Sequence, residues 1–500
     1  MLASEYWYRF PWLLLAAALL LTGLGIAGIY AATAGGAVPA PFLDTLGAKQ
    51  VIWLLAALGV FAATLVPSYT RLARVSYFLY GASIIVLAVL AFMRRYNLEI
   101  PGFIYPINNS YAWIRIPGTG VNIQPSELTK IAFIMSLAYY LRYRKNFRTF
   151  SGLMTPFLMA LVPTALIFLA ADLGTAMLFL PILFLMLFAA GARGKHLATI
   201  ILIGMAMVPI FYSSMRGYQR LRIDSWLLQG CAERMHFALS EPRERDCGLQ
   251  IANCELKSRQ DEVSSNSQSA IRNPQFSLTP ERKAELVHEI TGMWRFRLWQ
   301  LATKISWGKD KPEYVEAKMR LFQTLDQGPG PKSFDALRFF FGTLLDNFGY
   351  QAFQSKIALG AGGIAGQGWL QGTQTKYGLL PEAHTDFLFP TLAEQFGFLG
   401  AAGIVLLYGI LCVLGVDVSL STTEPYGKLL VVGVVALVAA QSFLNMAMSM
   451  GLMPVTGIPL PLMSYGGSSL LSSYLALGLL CNVAVRRLYL IAPRPFEWRE

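Results

Sequence analysis

Residues 11–32 read Pro-Trp-Leu-Leu-Leu-Ala-Ala-Ala-Leu-Leu-Leu-Thr-Gly-Leu-Gly-Ile-Ala-Gly-Ile-Tyr-Ala-Ala, without one charged side chain. A helix needs about 20 apolar residues to cross the hydrocarbon core of a bilayer. This run is longer than the ~7–15 apolar residues of a signal peptide, and more such runs follow, so it is read as an anchored helix. The others are Val51–Val66, Phe78–Met93, Leu128–Leu141, Leu153–Ala170, Leu173–Gly191, Leu197–Tyr212, Phe387–Gly415, Leu429–Met450 and Leu470–Val485. The chain is 55% hydrophobic and only 14% charged, where a soluble domain carries about 25% charge. These features predict an all-α polytopic membrane protein with about ten transmembrane helices. A large extracytoplasmic loop separates spans seven and eight.

The net charge of +12 is a topology signal. Arg71, Arg74, Arg142, Arg144, Lys145, Arg148, Arg193, Lys195, Lys428, Arg486, Arg487, Arg494 and Arg499 cluster in alternate short loops. With Arg9 they fall on one side if both termini are cytoplasmic, as the positive-inside rule requires. This charge suits anionic lipid headgroups and argues against nucleic acid as a partner. The five cysteines form no metal signature. Cys412 and Cys481 lie in apolar spans. Cys231, Cys247 and Cys254 lie in the outer polar segment, where one disulfide is open to them. A zinc site using His236 would fit no standard spacing.

Four segments follow: spans one to seven in 1–212, an outer loop with a soluble helical insert in 213–349, a glycine-rich outer loop in 350–385, and spans eight to ten with a cytoplasmic tail in 386–500. The insert holds 20 Arg and Lys against 17 Asp and Glu. Within it, apolar residues at helical spacing predict one helix from Pro280 to Ile305, capped by Thr279 with Pro280 in its first turn. Lys311–Leu325 and Ser333–Leu345 are two more. Arg259–Thr279, rich in Ser, Asn and Gln, reads as a loop or a disordered stretch. Gly360, Gly362, Gly363, Gly366, Gly368, Gly372 and Gly378 crowd the next segment. Such density is costly in a helix and suits a re-entrant or active-site loop.

Charged residues in spans are expensive and are functional candidates by default. Glu127 and Lys130 stand three apart on one helix face. Asp172 heads the sixth span, Asp386 starts the eighth, Glu394 lies two turns further in, and Arg115 precedes Gln124. Each has a bland alternative as a buried ion pair or a helix cap. As a set they predict a polar cavity for a charged lipid headgroup. Met453-Pro-Val-Thr-Gly-Ile-Pro-Leu-Pro461 then breaks any helix. It is followed by Ser464-Tyr-Gly-Gly-Ser-Ser469, with Ser464 and Ser468. These hydroxyls either hold phosphate or sugar, or only pack the loop.

Several segments together resemble the SEDS family (shape, elongation, division and sporulation), which includes RodA, FtsW and SpoVE. They are Gln124-Pro-Ser-Glu with Lys130, Asp172-Leu-Gly-Thr175, Gly349-Tyr-Gln with Gln354-Ser-Lys356, Gly368-Trp-Leu-Gln-Gly-Thr-Gln374, Leu380-Pro-Glu-Ala-His384-Thr-Asp386, Pro454–Pro461 and Ser464–Ser469. They occur in family order and span nearly the whole chain except the insert. Gly368–Gln374 is worded more like RodA than FtsW. The resemblance implies a peptidoglycan glycosyltransferase of the bacterial cytoplasmic membrane. It would polymerise lipid II, a disaccharide-pentapeptide on undecaprenyl pyrophosphate, during cell elongation. Its partners would be a class B penicillin-binding protein, the undecaprenyl-linked glycan and elongation-complex membrane proteins.

The family's key Asp lies shortly before the Gly-Tyr and Gln-Ser motifs, which points to Asp346 as the base. Here Asp346 stands four residues before Tyr350 where the family has six, and no Pro follows, so Asn347 and Asp335 stay open. The family's motifs also bring in Lys356 and His384. Ala112 stands where the family has Arg, and Arg115 would supply that charge. Ala171 replaces a Pro and Gln395 a second Glu. The leaving pyrophosphate needs Lys, Arg, backbone NH groups or a divalent cation such as Mg or Mn; no cofactor is otherwise indicated. A division-type polymerase, a lipid-linked precursor flippase and an inactive scaffold are the alternatives. A flippase should show inverted repeats and broken helices, and neither is evident in the sequence.

Overall fold

The computed structural model describes residues 10–33, 45–100, 103–105, 111–116, 121–144, 149–208, 212, 215, 217–240, 280–293, 296–297, 299–300, 312–326, 331–344 and 349–486. Asp346, Asn347, Cys247, Cys254 and the stretch Arg259–Thr279 lie outside them. Two compact units emerge: residues 1–202, 357–447 and 456–500 form the first, and 203–356 with 448–455 the second.

The first unit holds α1 (Trp12–Thr33), α2 (Leu46–Leu65), α3 (Tyr69–Arg95), β1 (Ile114–Ile116), β2 (Val121–Ile123), α4 (Pro125–Leu141), α5 (Met154–Leu169) and α6 (Leu173–Ala189). A short helix, α7 (Gly194–Ala206), follows. Among the described residues, all ten apolar runs fall on helices, counting the later three below. Among the described residues seven helices are long and apolar enough to cross a membrane; α6 and α7 are shorter apolar helices. The chain is therefore a multi-pass, all-α membrane protein, with one antiparallel hairpin pairing Arg115 opposite Asn122.

In the second unit, α8 (Gly217–Ser240) packs with α9 (Pro280–Gly292), α10 (Pro312–Leu325) and α11 (Pro331–Leu344). Their apolar faces share one core: Leu228 and Met235 from α8, Leu286 and Ile290 from α9, Leu321 from α10, and Phe340 from α11, with Trp299 among them. Cys231 is buried in that core, its sulfur 3.6 Å from that of Met293. The single helix expected from Pro280 to Ile305 is corrected. α9 stops at Gly292, a poor helix former, after the Thr291 hydroxyl has turned back to the carbonyls of Val287 and His288. α12 (Tyr350–Ala361) begins in this unit.

The remaining elements are α13 (Thr373–Lys376), α14 (Leu388–Leu420), α15 (Pro425–Ser449) and α16 (Gly467–Arg486). α15 and α16 are buried over most of their length, whereas α2, α3 and α14 expose rows of large apolar side chains suited to lipid. α16 packs closely on α2; a Cβ on Gly478 would meet the Thr64 hydroxyl at 1.9 Å. From α16, Asn482 and Arg486 bond the carbonyls of the α2–α3 turn, which would otherwise be orphaned.

α14 is broken. Gly397 has φ 69° and ψ −165° inside it. The glycine-rich segment fills the break backbone to backbone. Gln367 N donates to Glu394 O at 2.9 Å, Gly368 N to Gln395 O at 3.1 Å, and Phe398 N to Gly363 O at 2.8 Å. Side chains have no room: a Cβ would lie 2.1 Å from Ala393 O at Gly362, 2.1 Å from Gln395 O at Gly366, and 2.3 Å from Gly366 N at Gly397. We expect Gly366→Ala and Gly397→Ala each to cost about 2 kcal/mol or more, from strain at positive φ plus the backbone clash. The detergent-solubilised variants should show a clear fall in apparent Tm. An unchanged Tm in both would mean that the segment does not dock on α14 in this way.

Candidate active site

The loop from Thr456 to Gly466 is the piece on which the first unit's polar side chains converge. Pro459, Pro461 and Gly457 (φ 73°) keep it irregular. Its backbone is held from several helices. Asn445 Nδ2 donates to Ile458 O at 2.7 Å and to Asp386 O at 2.8 Å. Gln441 Nε2 donates to Pro459 O at 2.9 Å. Gln50 Nε2 donates to Ser464 O at 3.1 Å, and its Oε1 accepts from Gly466 N. Gly25 and Gly174 allow close approach; added Cβ atoms would lie 2.4 Å from Met463 O and 2.6 Å from Thr456 O. Ser464, expected to touch phosphate or sugar, donates to Thr385 O and accepts from Leu460 N, so its hydroxyl ties two loops together.

Glu127 and Lys130, on the first turns of α4, are fully buried and paired at 2.8 Å. Lys130 Nζ also donates to Gln441 Oε1 at 3.1 Å, and Glu127 Oε2 accepts from the Ser472 hydroxyl at 2.7 Å. One ion pair therefore joins α4, α15 and α16 and reaches the loop through Gln441.

Asp172 caps α6. Its carboxylate accepts from Thr175 N, the Thr175 hydroxyl at 2.7 Å and Gln124 Nε2 at 2.7 Å. Ala171 before it has φ 69°, a conformation that the Pro of the resemblance cannot adopt. The substitution thus changes the entry into the cap as well as one side chain.

Glu394 is buried at the heart of the glycine segment. It accepts from Gln374 N at 2.6 Å, Thr375 N at 3.2 Å and the Thr375 hydroxyl at 2.8 Å. A carboxylate at the start of α13 complements the free NH groups there. Gly372 leaves it room, since a Cβ would stand 2.5 Å from Glu394 Oε2. Gln395 Oε1 accepts from Leu370 N, itself at φ 60°. The amide can do this work of a second Glu.

Arg115 lies on β1 with its guanidinium 3.7 Å over the Tyr105 ring, and its buried Nε has no partner among the described residues. Asp386 sits beside Gly457, its Oδ2 3.4 Å from where a Cβ would be. His384 accepts from Tyr465 N through its carbonyl, and burial pushes its imidazole pKa down against the opposing charge of Glu382. Ser468 is buried in the first turn of α16. The first unit thus brings together Glu127, Lys130, Asp172, Asp386, Glu394, His384 and Ser464 around two irregular loops. Lys356 belongs to the second unit, where its stem packs on Gly451. Asp335 is exposed on α11, and Asp346 lies outside the described residues.

Sequence inspection missed Asn445, Gln441, Gln50 and Ser472. Gln441 and Asn445 had a signal: two amides four residues apart, on one face of an otherwise apolar span. The carboxylates of Glu127, Asp172 and Glu394 each accept two or three internal hydrogen bonds. They position backbone and neighbours, and their lone pairs are largely occupied.

Comparison with known proteins agrees with this architecture. The FtsW/RodA/SpoVE family model, described as "Cell cycle protein", matches residues 11–234 and 338–489. The peptidoglycan glycosyltransferase RodA of Treponema pallidum is 28% identical over 96% of this chain and 98% of its own. A probable peptidoglycan glycosyltransferase FtsW of Geobacter sulfurreducens is also 28% identical, over 96% of each. The peptidoglycan glycosyltransferase MrdB of Escherichia coli reaches 40% identity, over 28% of this chain and 38% of its own. Among solved structures, one described as "Structural coordination of polymerization and crosslinking by a peptidoglycan synthase complex" matches with TM-score 0.56 and 25% identity, over 95% and 97% of the two chains. RodA of Thermus thermophilus matches in fold, with TM-score 0.53 and 21% identity, over 96% and 97%. The matched residues leave out 235–337, most of the insert, and cover every span and both irregular loops: this chain belongs to the FtsW/RodA/SpoVE family, the SEDS proteins.

Proposed function

We propose that this membrane protein is a peptidoglycan glycosyltransferase that polymerises lipid II into glycan strands. The observation that carries the proposal is its end-to-end likeness to a chain named peptidoglycan glycosyltransferase RodA. The buried polar cluster around two irregular loops supports it, because a lipid-linked pyrophosphate needs a polar site in an apolar surround.

In the proposed reaction, an acceptor sugar hydroxyl attacks C1 of the donor sugar. The new C1–O bond forms as the bond from C1 to the pyrophosphate oxygen breaks. The hydroxyl proton passes to Asp346, and undecaprenyl pyrophosphate leaves with the bonding electrons. Lys356 is the proposed source of positive charge for the leaving group. The Glu127–Lys130 pair holds the wall between α4, α15 and α16.

We assign an elongation role, with a division-type role as the second reading, since relatives named RodA and FtsW both match at full length. A class B penicillin-binding protein is the proposed partner, supported by the solved synthase complex. The positive-inside pattern supports cytoplasmic termini. The break at Gly397 is a feature that a flippase also expects, but here backbone from the glycine segment fills it.

With its partner present, the wild type should make glycan from fluorescent lipid II on a gel. Asp346→Ala should lose at least ~100-fold in rate, the usual contribution of a general base, while Asp335→Ala stays near wild type. Full activity of Asp346→Ala removes that residue from the role. The Glu127–Lys130 pair makes a separate prediction. Lys130→Met strands a buried charge and should cost about 3–5 kcal/mol, whereas Glu127→Gln with Lys130→Met should recover most of that stability. Thermal unfolding of the two variants checks this, and equal losses would rule out a desolvated pair.

A further inference from the structure

At one membrane face of the first unit, residues of α1, α2 and α16 line a cavity of about 330 Å³ that includes no residue of the two irregular loops. That volume is within the range of small-molecule sites. Phe10, Trp12 and Leu15 come from the entry into α1, Phe61 and Leu65 from the end of α2, and Val485 from the last turn of α16. The Phe10 ring stands 4.5 Å from that of Trp12 and meets the Phe61 ring edge-on at 6.3 Å, so the aromatic wall is continuous. A cavity with such walls takes an apolar guest in preference to water. The remaining lining residues are Asn482 and Arg486. The Asn482 amide is engaged at both ends, by Tyr69 N and by the carbonyls of Thr64 and Pro67. The Arg486 guanidinium donates to the carbonyls of Leu65, Val66 and Pro67 and to Asn482 Oδ1. These acceptors are all neutral, so the cation keeps its charge at the end of α16.

Position narrows the choice of guest. α1, α2 and α16 are each long and apolar enough to span a bilayer. Trp12 opens the first, Leu65 closes the second and Arg486 closes the third. The cavity therefore lies where the hydrocarbon layer meets the headgroups, a level at which Trp rings are enriched. Arg71 and Arg74, exposed in the first two turns of α3, follow the same α2–α3 turn that Arg486 holds. An apolar cavity beside uncompensated positive charge is complementary to an amphiphile with an apolar chain and an anionic head. A sugar or free phosphate would meet apolar walls, and a zwitterionic lipid would bring no net charge. We infer that this cavity binds one acyl chain of an anionic phospholipid, whose headgroup lies beside Arg486. The site is independent of the glycan-polymerising function proposed above.

The test uses the full chain in detergent and phosphatidylglycerol with a photoactivatable diazirine on one acyl chain. Crosslinks should map to peptides that contain Phe10–Leu15 and Phe61–Leu65. Phosphatidylcholine with the same chain should label them about fivefold less, the weight of one cation near an anionic headgroup. Leu15→Trp and Val485→Phe fill the cavity from two different helices. Each should lose most of the labelling at these peptides, with an unchanged apparent Tm in lipid-free detergent. The headgroup comparison needs only the wild type, so it stands even if a filled variant fails to fold. Wild-type labelling in both variants overturns the site, and so does equal labelling by the two headgroups. Displacement of the probe by an equal concentration of undecaprenyl phosphate overturns it in favour of a polyprenyl chain. Labelling that appears only after removal of residues 1–9 overturns it in favour of the chain's own N-terminal segment.

Discussion

Inside a bilayer there is no water to satisfy a backbone NH or carbonyl, so non-helical backbone survives there only when protein supplies every partner. Two stretches of this chain live under that constraint. The segment 362–368 lies along the break in α14, and the loop 456–466 reaches Gly25, midway along α1. Neither makes a regular hydrogen-bond ladder. The loop 456–466 is bonded by Asn445, Gln441 and Gln50, and the segment 362–368 by the backbone of Glu394, Gln395 and Phe398 at the Gly397 break. Glycine is required where backbone meets backbone, because the measured gaps leave no space for a Cβ.

This changes what the buried charges mean. Singly, each looks like a ligand for a charged headgroup. In the fold, Glu394 holds α13, Asp172 holds the start of α6, and Glu127 with Lys130 holds three helices together. The expense of placing these groups among apolar helices is offset by the irregular backbone they stabilise. A loop bonded from several helices keeps its irregular path without a ladder of its own.

Much of this was legible in the sequence because it is local. Helical period and span length located the ten runs, and a spacing of three put Glu127 beside Lys130. Its place before Leu173-Gly-Thr175 leaves Asp172 open to either a cap or a headgroup contact, and the structure shows the cap. What could not be read is non-local or concealed by composition. The partner of Glu394 lies about twenty residues earlier, in a segment whose glycines signal only permissiveness. The break at Gly397 hides in an apolar run that reads as one helix from Phe387 to Gly415. Gln50 meets Ser464 across more than four hundred residues, and no periodicity reports such a pair. The insert was misread at Gly292 because its apolar spacing continues beyond the point where the backbone turns.

Satisfied and unsatisfied polar groups separate two kinds of work. The carboxylates above each accept two or three hydrogen bonds from the protein itself, which suits a scaffold. Other buried atoms have no partner among the described residues: the hydroxyl of Ser126 at the start of α4, Oε1 of Gln374 and Nε2 of Gln395 beside the glycine segment, and Nε of Arg115. A fold that takes such care over its buried backbone has no structural reason to leave these unmet, because each costs about 1–3 kcal/mol when desolvated without a partner. Among the described residues of the first unit, the charges that first drew attention therefore act on backbone and neighbouring side chains, whose irregular path they hold in place.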